Sequence, residues 1–103
     1  PWFGVVLRPL NEHLAKQLNL TSSSGALIAA TLPGSPAEEA GIKPGDVITV
    51  FNNHPIKDWM DLRSDVAKTE VGKTVTLTIV RHGNPLSLRA TIQEEPKVPT
   101  ERW

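Results

Sequence analysis

The chain has 103 residues, 39% of them apolar and 21% charged, with eleven basic side chains against eleven acidic ones. That size fits one globular domain with its own core, and a neutral domain has no global field to gather nucleic acid or anionic membrane, so neither is an expected partner. The absence of cysteine excludes disulfide frameworks, thiolate metal sites and cysteine nucleophiles, and no apolar run reaches the roughly 18 residues that direct membrane insertion as a helix needs.

No basic start leading into an apolar stretch reads as a signal peptide, and the abrupt opening Pro1-Trp2-Phe3 reads as a piece of a longer protein. Phe3 to Leu7 is an apolar, strand-forming run that carries Gly4 where close backbone approach is useful. Asn11 suits the cap of a short helix with Leu14, Ala15 and Leu18 on one face. Thr21 to Ser24 is a polar loop, and Gly25 to Thr31 reads as a strand. Ser35 then stands as an N-cap, Pro36 as the first helical residue, Glu38 and Glu39 as acids near the start and Gly41 as the stop, which predicts a helix of one or two turns. Lys43 to Asp46 is a turn, Val47 to Phe51 a strand, and Asn52-Asn53-His54-Pro55 carries turn chemistry.

Asp58 suits the cap of the main helix, which runs to about Lys68 with Trp59, Leu62 and Val66 on one face. The face assigns Trp59 to core or helix-edge packing. Val71-Gly72-Lys73 breaks that helix. Thr74 to Val80 and Leu86 to Gln93 both alternate, and His82-Gly83-Asn84-Pro85 links them as a hairpin turn. Residues 94–103 carry two prolines and read as a linker or tail, which leaves a domain over residues 1–93. Five or six strands with two or three helices predict an α+β fold, a partly open β-sandwich or barrel with helices at its openings.

Catalytic and metal chemistry finds little support. His13, His54 and His82 are scattered with no metal-ligand spacing, and no G-x-S-x-G elbow is present. Ser22-Ser23-Ser24 is loop filler and Ser35 a cap. The tripeptide Asn19-Leu20-Thr21 matches a glycosylation sequon, a match that chance supplies often. No cofactor is expected, and the domain is expected to be non-catalytic.

The stretch from Gly34-Ser35-Pro36-Ala37-Glu38-Glu39-Ala40-Gly41 through Ile42-Lys43-Pro44-Gly45-Asp46-Val47-Ile48 resembles the signature of bacterial-type PDZ domains. Asn52-Asn53-His54-Pro55-Ile56 resembles that family's N-G-x-P-[IV] turn, with Asn53 in place of glycine; asparagine also tolerates positive φ. Trp2-Phe3-Gly4-Val5 and Val66-Ala67-Lys68-Thr69-Glu70-Val71-Gly72 are similar to the opening loop and helix end of the PDZ modules of HtrA/Deg serine proteases. The resemblance covers about residues 2–93.

It implies a circularly permuted PDZ-like order in which the peptide-binding strand comes first. The partners it implies are C-terminal peptides, or unfolded proteins with apolar ends, bound by strand addition. The N–H groups of Phe3, Gly4 and Val5 would hold the terminal carboxylate, beside Trp2, and Val5, Val6, Leu7 and Arg8 would pair with the ligand. Leu62, Arg63, Val66 and Ala67 would form the opposite wall. Arg63 is either a solvated helix residue near the groove or the partner of an acidic ligand residue. The segment Gly34 to Asp46 is expected to be structural. Replacing Gly4 by valine is expected to remove binding and to spare the fold.

The implied setting is a regulatory or substrate-feeding module of an HtrA-like serine protease in the periplasm or another extracytoplasmic space. The alternatives are a PDZ module of another bacterial secretion or scaffold protein, and a purely structural assembly unit that binds no free peptide. Trp103 offers either a surrogate ligand for a neighbour's groove or, with Arg102, the start of a second module.

Overall fold

The computed structural model describes residues 1–96; the expected docking of Trp103 lies outside the described residues. The elements are β1 (Val5–Arg8), α1 (Glu12–Gln17), β2 (Ala26–Thr31), α2 (Pro36–Glu39), β3 (Val47–Phe51), β4 (His54–Pro55), α3 (Trp59–Lys68), β5 (Thr74–Arg81) and β6 (Asn84–Thr91). They build one six-stranded sheet in the order β1-β2-β3-β5-β6, with β4 paired to β3. Every pairing is antiparallel. β1 therefore lies at one edge of the sheet and β6 at the other.

Capping chemistry sets the helix starts. Asn11 accepts from the Leu14 N–H at 2.8 Å, Ser35 from Glu38 at 3.1 Å and Asp58 from Asp61 at 3.0 Å, each satisfying an amide that the first helical turn leaves free. Two-residue turns close both hairpins. Asn52 and Asn53 have φ of 49° and 67°, and His82 and Gly83 have φ of 52° and 79°. Two successive positive φ values give the turn whose twist matches the flanking strands. The turn expected over residues 52–55 is thus shorter, and His54-Pro55 is already strand; likewise Asn84 and Pro85 belong to β6. Proline fits there because β6 is an edge strand.

The alternation of β5 is realised in full, with Val75, Leu77 and Ile79 buried. Along β6 it holds only in part: Ala90 is buried and Leu88 half-buried, but Leu86 is exposed. An edge strand has one neighbour, and its burial falls towards the hairpin. These side chains join Phe3, Ile28, Ile48, Phe51, Leu62 and Ile92 in a single core. Phe3 meets Phe51 edge-to-face, centroids 6.1 Å apart at 80°, a favoured aromatic geometry.

One buried ion pair fixes the segment after α2. Asp46, 1% exposed, takes Arg81 Nε at 2.9 Å and Nη2 at 2.7 Å. Arg81 Nη2 also donates to the Gly41 carbonyl at 2.8 Å, and Asp46 accepts from the Lys43 N–H at 2.9 Å. The hydrogen bond to Asp46 raises the Arg81 pKa above its already high ordinary value. Arg81→Met leaves the buried carboxylate short of its counter-charge. It should lower unfolding free energy by about 3 kcal/mol, the low end for a broken buried pair because the guanidinium keeps some access to water. Urea denaturation would register this as a lower midpoint with an unchanged slope.

Candidate functional site

A cleft of about 640 Å³ opens between the free side of β1 and helix α3. Phe3, Gly4, Val5, Leu7 and Arg8 line it from the strand side, and Leu62, Arg63, Val66 and Ala67 from the helix. Trp2 and Val6, also expected at the site, do not line it. Strand alternation sends Val6 to the other face, 46% exposed. The Trp2 main chain is taken up in a bridge with Gln93: its N–H donates to the Gln93 carbonyl at 2.7 Å, and its carbonyl accepts from the Gln93 N–H at 3.2 Å. Pro1, Pro9, Trp59 and Glu95 complete the lining. Trp59 does pack on the core, as its face predicts, and borders the cleft as well. Its spacing with Leu62, Arg63 and Val66 was the available signal. Nothing in the sequence marks Glu95, which arrives because the neighbouring Gln93 pairs with Trp2.

The main chain at the head of the cleft has a definite polarity. Three successive carbonyls are claimed from within the chain: Trp2 by the Gln93 N–H at 3.2 Å, Phe3 by Ala37 at 3.0 Å and Gly4 by Leu32 at 2.8 Å. In a trans peptide the N–H points opposite to the carbonyl of the same unit. The N–H groups of Phe3, Gly4 and Val5 are therefore turned away from those partners. Among the described residues, the N–H groups of Phe3 and Gly4 have no acceptor. Consecutive outward amides form a concavity suited to an anionic oxygen.

Gly4 makes this path sterically possible. Its φ is +85°, and a Cβ there would stand 2.1 Å from the Ser35 Cβ and 2.8 Å from its Oγ. Ser35 is fully buried and caps α2, the helix whose Ala37 holds the Phe3 carbonyl. The signature segment thus backs the amide loop directly. This corrects the expectation that Gly4→Val spares the fold: any side chain at Gly4 collides with the N-cap of α2.

The family model described as a PDZ domain matches residues 1–92. The chain belongs to the PDZ domain family. A probable periplasmic serine endoprotease, DegP-like, of Rhizobium meliloti is 39% identical over 95 residues, covering 92% of this chain and 19% of that protein. The periplasmic pH-dependent serine endoprotease DegQ of Escherichia coli is 38% identical over 89 residues, covering 86% of this chain and 20% of that protein. The solved structure of the HtrA-type protease AlgW with a decapeptide superposes with a TM-score of 0.83 at 29% identity, over 94% of this chain and 30% of that one. The HtrA3 PDZ domain bound to a phage-derived ligand shares the fold, with a TM-score of 0.73 at 24% identity, over 87% of this chain and 82% of that one.

This PDZ domain therefore spans about a fifth of the length of the curated relatives it matches. It is of the HtrA/Deg serine-protease type and a non-catalytic part of such proteins. The periplasmic relatives support an extracytoplasmic location. The expected α+β fold is the observed one, with six strands and three helices.

Two glycines of this PDZ domain separate backbone strain from collision. Gly34 has φ +71° with open space around its missing Cβ, so Gly34→Ala should cost about 1 kcal/mol, the left-handed penalty alone. Gly4→Ala adds an overpacking cost and should lose about 3 kcal/mol in all. Equal urea midpoints for the two variants would contradict the close contact with Ser35.

Proposed function

We propose that this domain binds the C-terminal end of a polypeptide as an added strand on β1. The observation that carries the reading is the run of outward amides at Phe3, Gly4 and Val5, set at the head of an apolar cleft beside an unpaired sheet edge. The ligand's terminal carboxylate accepts from those amides in charge-assisted hydrogen bonds. Its chain runs antiparallel along Val5 to Arg8, exchanging main-chain hydrogen bonds with the edge. Its last side chain is apolar and rests on Val5, Val66 and Ala67, above the buried Phe3 and Leu62. The solved structure of the HtrA-type protease AlgW with a decapeptide supports peptide binding as the domain's role here.

Affinity follows from opposing terms. A flexible peptide loses conformational freedom on docking, so a micromolar complex of about 8 kcal/mol is expected. The domain's ligands are cleaved or unfolded proteins that expose apolar ends. In the whole protein, binding feeds substrate to an HtrA-like serine protease domain or biases that domain's activity. The relatives' names support this setting, since they are serine endoproteases of which the matched part is about a fifth.

Fluorescence polarisation with a labelled peptide ending in valine tests the reading. Amidation of the terminal carboxylate removes one or two charged hydrogen bonds, about 3 kcal/mol, and should weaken binding about 100-fold. Equal affinity of the acid and the amide would refute terminal recognition.

A further inference from the structure

We infer that Arg8 and Arg63 form a pair of cations that selects ligands with an acidic side chain about three residues before their apolar end. The inference rests on the binding mode proposed above and adds a class of ligand to it. Both residues line the cleft, one from the strand and one from the helix, and both are exposed. Among the described residues, the side chains lining the cleft carry these two positive charges against one carboxylate, Glu95. Glu95 follows the bridge between Gln93 and Trp2, so it enters from the side of Pro1 rather than of Arg8.

Among the described residues neither arginine has an internal counter-charge. Arg81 pairs with Asp46, and Asp65 shares a hydrogen bond with His54. On α3 the positions three and four residues from Arg63 are Trp59, Met60, Val66 and Ala67, so no acid stands where a helical ion pair needs it. The acids that α3 does carry are engaged elsewhere, Asp65 with His54 and Asp61 with the Lys57 N–H at 3.0 Å. Arg8 ends β1 just beyond a register shift against β2 between Val6 and Leu7. Such an irregularity sharpens local twist and re-aims side chains; beyond it Leu7, Arg8 and Pro9 all border the cleft.

Register supplies the position. A ligand whose last residue lies beside Val5 places the residue three before it beside Arg8, about 10 Å along at 3.3 Å per residue. A glutamate or aspartate there meets a guanidinium matched to carboxylate geometry. Ligands with an acid in that place and an apolar end are therefore favoured, and those with a lysine there are disfavoured.

The test uses three fluorescein-labelled peptides of one sequence ending in valine, with glutamate, glutamine or lysine three residues before the end, and the intact chain. At about 50 mM salt, affinity should fall from glutamate to glutamine to lysine by about fivefold per step, and at about 500 mM the steps should shrink through screening. R8Q/R63Q should bind the three alike, and R8E/R63E should prefer the lysine peptide, a reversal that mere loss of folding cannot produce. Equal binding of the three peptides by the parent chain, or a glutamate preference that survives in R8Q/R63Q, overturns the inference while leaving terminal recognition standing. Failure of all three to bind overturns terminal recognition and the inference with it.

Discussion

The molecule turns on the capture of three consecutive main-chain carbonyls. Gln93, Ala37 and Leu32 donate to Trp2, Phe3 and Gly4, and planarity of the peptide unit then leaves the following amides no choice of direction. The partners come from three separate parts of the chain: the segment after β6, the start of α2 and the end of β2. A short loop that would otherwise solvate its own polar groups is held with one polarity inward and the other outward. Its recognition surface is main chain, and its side chains serve other ends: Phe3 lies 2% exposed against Phe51.

Support for that loop extends well past it. Arg81 at the end of β5 ties Asp46 and the Gly41 carbonyl together. This fixes the turn that follows α2, and α2 in turn presents the Ala37 N–H to Phe3 and the Ser35 cap to the face of Gly4. The chain of contacts explains why a segment remote from the cleft carries the densest local signals in the sequence. Its capping Ser35 and the Ala37 that follows are the rear wall of the amide loop. A change of one methyl group at Gly4 and the loss of a guanidinium at Arg81 act on the same scaffold from opposite ends.

Much of this was readable in the residue order, because the relevant forces are local. Caps at Asn11, Ser35 and Asp58 lie beside the helices they start. The two-residue period of Val75, Leu77 and Ile79 reports a half-buried strand wherever it sits. The face shared by Leu62 and Val66 is a property of one helix. The readings that needed adjustment involve neighbours from elsewhere. Trp59 serves both the core and the cleft, Leu86 loses its cover on an edge strand, and Gly4 abuts Ser35 across more than thirty positions of sequence.

The sequence by itself determined most of the elements and the starts of the helices, since capping, periodicity and left-handed turns act over a few residues, and its motifs carried the family resemblance. Tertiary structure alone decided which amides stay free, which side chains border the cleft and which cations lack a counter-charge. Those outcomes depend on pairings such as Trp2 with Gln93 and on the register shift that precedes Arg8. Hydrogen bonds and ion pairs between distant segments are settled only when the chain closes on itself, and no local pattern of residues encodes them.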